Sequence, residues 1–307
     1  MEWQTEITAA QQRIAGHIVE TPTLQSRAFG QDIALKLEQM QHTGSFKTRG
    51  AFNTLLALDV PEAGVVAASG GNHGAAVAYA AQKLGHRARI FVPEIAGPSK
   101  IELIKRTGAE LTVVPGEYAN ALELAEREAS ESGAMQIHAY DAPLTVSGQG
   151  TAMLEWEQQG LDADTVLIAV GGGGLIAGAL AWLGDRRKVV AVEPMTSCAL
   201  DSALDASAPV DVPVSGVAAN ALGARRIGQI CFDLATSVGV QSVLVSDGAI
   251  IEAQAALWQA HRQLVEPAGA TALAALMSAA YVPAPGERVA VLVCGGNIAP
   301  EPVLALQ

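Results

Sequence analysis

The stretch VLIAVGGGGLIAGALAWLG, Val166 to Gly184, carries no charged side chain over nineteen positions. By length and polarity it imitates a membrane-spanning helix. Its centre argues otherwise, because each of the four consecutive glycines, Gly171, Gly172, Gly173 and Gly174, costs a helix about 1 kcal/mol relative to alanine. A strand, a turn and a helix fit the pattern better. Such a turn exposes free backbone N–H groups at the positive end of the helix, which makes it a ready phosphate cradle. A tight turn that simply lets strand and helix pack closely would use the same glycines.

The same rhythm extends in both directions. GVVAAS (64–69), ARIFVP (88–93), ELTVVP (110–115) and MQIHAY (135–140) read as buried strands. NHGAAVAYAAQKLG, PSKIELIKRTG and ANALELAEREASES between them read as helices, the last with its acids around Glu117–Glu131 on a solvated face. DTVLIAV then precedes a helix over Leu175–Leu183, KVVAVEP follows, and RVAVLVCGGN comes near the end. This alternation predicts an α/β protein with parallel sheets covered on both faces. The strands are too many for one compact sheet, so two domains are expected. Residues 54–138 would form a smaller one inserted into a larger one built from 1–53 and 139–307.

Composition narrows the function classes. Of 307 residues, half are hydrophobic and 16% charged, enough apolar material for a sizeable core. The net charge is −12 and no lysine–arginine block occurs, so neither nucleic acid nor an anionic membrane is an expected partner. Cys198, Cys231 and Cys294 lie far apart, which argues against a disulfide scaffold and suits a reducing cytoplasm. MEWQTEITAAQQRIAGHI at the N-terminus has early acids and no apolar run of the signal-peptide kind.

Parallel sheets place ligands beyond the carboxyl ends of their strands, and the loops there are rich in glycine: SGGNHG (69–74), GGGG (171–174) and CGGN (294–297). Gly172, Gly174 and Ala177 also satisfy G-x-G-x-x-A, with Glu193 about twenty residues on, the spacing of a dinucleotide site in a nicotinamide dehydrogenase. That pattern leaves Lys47, Asn72 and Cys294 unexplained. Lys47 lies in HTGSFKTRGA (42–51), which alone reads as a helix start near Phe46 capped by Thr43 or Ser45.

Taken in order, SFKTRGA, SGGNHGAA, SGQGT (147–151), VGGGGLIAG, VEPAGA (265–270) and CGGN run through nearly the whole chain. The set resembles the fold-type II pyridoxal-phosphate enzymes, in particular the serine/threonine dehydratase (threonine ammonia-lyase) and serine racemase branch. The resemblance implies a tryptophan-synthase-β-like fold and pyridoxal 5'-phosphate as cofactor. It makes Lys47 the catalytic Schiff-base lysine and Phe46 a wall for the pyridine ring. Gly171–Gly174 would take the phosphate, Asn72 the ring hydroxyl, and Cys294 would face the ring nitrogen, with Glu266 near the cofactor. Ser69, Gly70, Asn72 and His73 would hold the substrate carboxylate. A lysine in that role needs a desolvated site that depresses its pKa. A neutral partner at the ring nitrogen weakens the electron sink and suits β-elimination.

The implied reaction is dehydration and deamination of L-threonine or L-serine to a 2-oxo acid and ammonia. Hydroxyaspartate or another β-hydroxy amino acid is an alternative substrate, with Arg225 or Arg226 in GARRIG as a partner for a second carboxylate. Serine racemases carry a serine one residue after Ser69, whereas Gly70 has no side chain to deliver a proton, so racemisation is expected to be weak. Relatives bind a divalent cation through a glutamate, a carbonyl and an aspartate. Glu193 and Ser197 match the first two, but Ala199 replaces the aspartate, which puts the metal in doubt. Ten residues follow Asn297, so a regulatory domain with isoleucine feedback is not expected. A cytoplasmic homodimer is the expected state.

Overall fold

The computed structural model describes residues 1–69, 71–94, 96, 98–116 and 118–299. Among the described residues ten strands form two sheets. The strands are β1 (Thr23–Ser26), β2 (Ile33–Leu37), β3 (Val65–Ala68), β4 (Ala88–Pro93), β5 (Glu110–Val114), β6 (Met135–Gln136), β7 (Thr165–Ala169), β8 (Lys188–Pro194), β9 (Gln241–Val245) and β10 (Val289–Val293). The helices are α1 (Trp3–Ile14), α2 (Lys47–Ala57), α3 (Asn72–Leu84), α4 (Pro98–Arg106), α5 (Tyr118–Ser132), α6 (Pro143–Gln158), α7 (Gly174–Leu183), α8 (Ala199–Ala206), α9 (Ala219–Leu222), α10 (Gln229–Val238), α11 (Asp247–His261) and α12 (Pro267–Met277).

The six-stranded sheet runs β1-β2-β10-β7-β8-β9, and the four-stranded one β5-β4-β3-β6. Among these ten strands only the β1–β2 pair is antiparallel, with Thr23 opposite Lys36. In the larger sheet Val291 of β10 lies between Leu35 and Leu167. In the smaller one Ile90 of β4 lies between Ala67 and Leu111. β2, β7 and β10 are buried at every position, because helices cover both faces and no alternating polar face is needed. The α/β expectation and the strand–turn–helix reading of Val166–Gly184 therefore hold, and among the described residues no helix is long and apolar enough to cross a membrane.

Two local readings change. MQIHAY is not one strand: β6 stops at Gln136, and Ile137 adds one more bond to Val66 before the chain turns. His138 causes that turn, since its Nδ1 accepts from the backbone N–H groups of Tyr140 (3.3 Å) and Asp141 (2.9 Å). β2 is absent from the apolar pattern because Lys36 interrupts it, yet Lys36 is fully buried. α5 buries Ala121 and Ala125 and leaves Glu123, Glu126 and Glu131 in solvent, as expected of a solvated acidic face; Glu117 lies outside the described residues.

Candidate active site

The centre of the site is the start of α2. Lys47 is its first residue and Phe46 its N-cap. Neither Thr43 nor Ser45 caps the helix, contrary to the sequence reading. Ser45 is extended and bridges Gly295, the Phe46 N–H donates to the Cys294 carbonyl at 3.3 Å, and Gly296 N–H donates to Gly44 at 2.9 Å. The lysine turn is thus stitched to the loop leaving β10. Thr43, at φ 59°, instead pairs its hydroxyl with Thr48 at 2.8 Å.

Lys47 Nζ donates to the Ala139 carbonyl at 2.7 Å and sits 5.2 Å from the centroid of the Phe46 ring. Burial, opposed only by Cys294, pulls its pKa down to about 8. At pH 7 about one amine in ten is then neutral, whereas an ordinary lysine would be almost wholly charged. Ala139 was not singled out in the sequence; a carbonyl leaves no side-chain signature.

Cys294 follows β10 directly and is buried in the core, and its thiol donates to the Ala268 carbonyl at 3.3 Å. Burial, helped by Glu266, pushes the thiol well above its ordinary range, so it is neutral. Glu266 precedes α12 and accepts from the Asn72 amide, while Asn72 Oδ1 accepts from Asn297 Nδ2 at 2.9 Å. Asn72 opens α3, so this triad joins a helix that leaves the smaller sheet to the last strand of the larger one. Gly295 allows the approach, since a Cβ there would run into Glu266. Asn297 ends the CGGN motif, and its bonds to Asn72 and to the Thr43 carbonyl give it a positioning role that the motif alone does not reveal.

His73, the second residue of α3, is buried and bonded through Nε2 to the Ile137 carbonyl at 2.9 Å. A carbonyl accepts only, so the proton is on Nε2. Burial first, and then Lys47, pull its pKa to about 3 and keep it neutral. Its ring donor is therefore occupied, and what faces an anion at this end is the first turn of α3, whose N–H groups lack intrahelical partners. Ser69 lies just before it, its hydroxyl accepting from Gly71 N–H at 3.1 Å. Gly70 lies outside the described residues.

The glycine loop joins β7 to α7. Gly173 needs its left-handed φ of 95°. A Cβ on Gly171 would lie 2.8 Å from Leu222 Cα, and one on Gly172 would meet the Tyr140 ring. The Gly172 carbonyl accepts from Gly228 N–H at 3.1 Å, and the first N–H groups of α7 stay open to a ligand. Lys47, the open glycine cradle, the neutral thiol and the buried Ser45 hydroxyl, which has no partner among the described residues, fit a phosphorylated aldehyde.

A family model described as "Pyridoxal-phosphate dependent enzyme" matches residues 14–295. The chain belongs to that family. A phenylserine dehydratase from Ralstonia pickettii is 34% identical over 300 residues, covering 95% of this chain and 92% of the relative. Among solved structures, maize serine racemase superposes with a TM-score of 0.92 at 30% identity, covering 98% of this chain and 95% of that one. The threonine deaminase of T.th. gives 0.88 at 36%, covering 96% and 98%. The protein is therefore a pyridoxal-phosphate enzyme of the dehydratase and racemase branch, with the two-domain α/β fold of that family.

One reading of the sequence fails on geometry, and the cation it left in doubt finds no fitting set of ligands. Glu193 is fully buried, its carboxylate accepting from the N–H groups of Leu200 (2.9 Å) and Asp201 (2.8 Å) at the start of α8. It cannot reach a ribose, which removes the dinucleotide reading. Nor does it suit a cation: both oxygens accept backbone N–H groups, Ala199 brings no second carboxylate, and among the described residues no group of three metal-ligating side chains forms. The residues do not fit the divalent ion. Burial, only partly offset by those N–H groups, lifts the Glu193 pKa to about 7.

Arg49, unassigned in the sequence, is explained by the fold. It is fully buried and pairs with Glu38 through Nε (2.8 Å) and Nη2 (2.7 Å), and with Glu155 at 2.9 Å. Lys36 Nζ reaches the same Glu155 oxygen at 2.6 Å. This network ties the first turn of α2 to β2 and α6.

Proposed function

We propose that the protein removes water and ammonia from a 3-hydroxy amino acid of the serine and threonine class, leaving a 2-oxo acid. The observation that carries this reading is a lysine of depressed pKa held on a carbonyl between a glycine phosphate cradle and the open N-terminus of α3. Lys47 Nζ, Phe46, Gly171–Gly174, Asn72, Glu266 and Cys294 would hold pyridoxal phosphate. When bound, that group supplies the electron sink for cleavage at the α-carbon.

The chain's own residues supply the rest. Ser69, Asn72 and His73 lie at the helix start that would receive the substrate carboxylate, mostly through backbone N–H groups; Gly70 belongs to the same motif but lies outside the described residues. Lys47 takes the α-proton at Nζ, which requires the neutral amine that burial provides. Across the reaction the substrate's α C–H, β C–O and α C–N bonds break. Water and ammonia leave, and a second water supplies the keto oxygen. The neutral thiol of Cys294 would set no negative charge against the cofactor ring, which would favour elimination over long-lived carbanion chemistry.

A 2-oxo-acid assay across L-serine, L-threonine and the 3-hydroxyaspartates, on wild type and Lys47→Ala, tests the reading; full activity in the variant would sink it. Incubation with L-serine should yield pyruvate faster than D-serine, and the reverse would make racemisation the main activity. The proposal extends to residues 54–138 as the inserted domain, supported by all four strands of the smaller sheet lying within it. It also takes the protein as a cytoplasmic homodimer, in keeping with three free cysteines; light scattering of the purified protein checks the dimer.

A further inference from the structure

Helix α6 takes no part in the chemistry at Lys47, yet it packs against both the lysine helix and the cradle helix. It carries SGQGT (147–151), whose glycines bring backbones together on two sides. A Cβ on Gly148 would lie 2.6 Å from Gly50 Cα in α2, and a Cβ on Gly178 in α7 would lie 2.5 Å from Gly150 N. α2 begins with Lys47 and α7 begins at the glycine cradle. The spacing between amine and cradle is therefore set through α6.

We propose that Gln149 is a positioning residue for Lys47, holding the first turn of α2 from the neighbouring helix so that the amine stays over the Ala139 carbonyl beside the cradle. It rests on the reading of Lys47 as the reacting amine, and not on which amino acid is turned over.

The first turn of α2 is built differently from other helix starts in the chain. In α3, α6, α7 and α11 the N-cap carbonyl takes the N–H four residues on: Gly71 from Ala75, Ala142 from Val146, Gly173 from Ala177 and Ser246 from Ile250, at 2.8–3.2 Å. In α2 the Phe46 carbonyl takes the Arg49 N–H, three residues on, at 3.0 Å. The Gly50 N–H donates across the helix interface to Gln149 Oε1 at 3.2 Å. A turn closed at three residues has poorer internal bonding, and Phe46 supplies no side-chain cap to compensate. The missing acceptor comes from α6.

Gln149 is buried, and Gly50 leaves room for its amide, since a Cβ there would lie 2.6 Å from Gln149 Nε2. Flanking bonds keep the two helices in register. Asn53 Nδ2 donates to Ser147 Oγ at 3.0 Å, and Arg49 Nη1 to Thr151 Oγ1 at 3.3 Å. Of these three contacts, only the one at Gln149 serves the backbone of the lysine turn.

Three variants of the full chain test the assignment. Gln149→Met keeps the bulk and removes the acceptor, Gly50→Ala displaces the amide while favouring the helix, and Gln149→Glu keeps an acceptor oxygen. In the first two, affinity for pyridoxal phosphate, read from the Schiff-base absorbance, should fall about tenfold; Gln149→Glu should stay within about threefold of wild type. In the cofactor-free chain, the pH at which amine-directed modification of Lys47 levels off should rise by about one pH unit in Gln149→Met and Gly50→Ala, because a frayed turn readmits water to the amine. An unchanged modification profile in both, or an equal loss of affinity in all three variants, overturns the proposal. So does lower stability in urea with both readouts at wild-type values. If wild type itself shows no Schiff-base absorbance, the reading of Lys47 fails, and the modification profile still decides the role of Gln149.

Discussion

Lys36 and Lys47 lie eleven positions apart in the chain, the first fully buried and the second partly so, and the fold treats them in opposite ways. Lys36 donates to Glu155, Gln159 Oε1 (2.7 Å) and the Thr21 carbonyl (2.8 Å), inside a network of two cations and two carboxylates with Arg49 and Glu38. Burial still lowers its pKa, but Glu155 and Glu38 oppose that and the charge is kept. Lys47 has one carbonyl, an aromatic ring and no carboxylate partner, so desolvation acts on it almost unopposed. The difference separates a lysine that holds structure from one able to react. What distinguishes them is the partner set, not burial.

The comparison breaks most sharply at Lys47. Lys47→Ala should cost at least about a thousandfold in 2-oxo-acid formation and abolish the visible absorbance of a lysine Schiff base, because no other described amine lies at the glycine cradle. The same change should leave the stability of the cofactor-free protein equal or higher near neutral pH. The sign follows from the depressed pKa: between pH about 8 and 10.5 the unfolded chain binds the proton that the folded chain has lost, so wild-type stability rises across that window. The variant's advantage should accordingly fade there, as urea titrations at pH 7 and pH 10 would show.

Lys36→Met should do the reverse. Removing one cation from a buried set of two plus two leaves a net negative charge in the core, and such a break costs about 3–5 kcal/mol. Urea unfolding should read that loss, while any enzyme that remains folded keeps its Schiff-base absorbance. Pairing the change with Glu155→Leu should recover part of the stability, since charge balance returns.

A smaller effect sharpens the contrast in solution. In the cofactor-free protein, the rate at which Lys47 reacts with an amine-directed reagent should climb roughly tenfold per unit up to pH about 8 and then level off. Lys36 should stay unmodified throughout. The smallest effect concerns Glu193, a buried carboxylate served by N–H groups alone. Because both its oxygens are occupied, a chelator should leave Tm in place and change the turnover rate by less than about twofold.

Much of this was legible along the chain. Glycine runs after β-branched runs located β3, β7 and β10 and the loops that follow them, because only glycine tolerates the left-handed φ of Gly173 or the close approach at Gly295. The ordered motifs led to Lys47, Asn72, Glu266 and Cys294, which the fold brings together from α2, α3, α12 and β10. The misses share one cause. β2 hid behind Lys36, whose burial depends on Glu155 more than a hundred positions away. The turn at His138 hid inside an apolar run, because a ring nitrogen taking two N–H groups has no sequence period. The apparent metal and ribose acid, Glu193, had the right spacing but spends its carboxylate on α8.

By itself the sequence determined the class of the fold, the loops that line the cleft and the lysine at its centre, since strand patterning, glycine conformations and motif order are local properties of the chain. Tertiary structure alone decided which charges are paired. A carbonyl at position 139, two carboxylates on β2's neighbours and the α8 N–H groups set the protonation of Lys47, Lys36 and Glu193. Electrostatic energy depends on distance and desolvation in space, and neither is written in spacing along the chain.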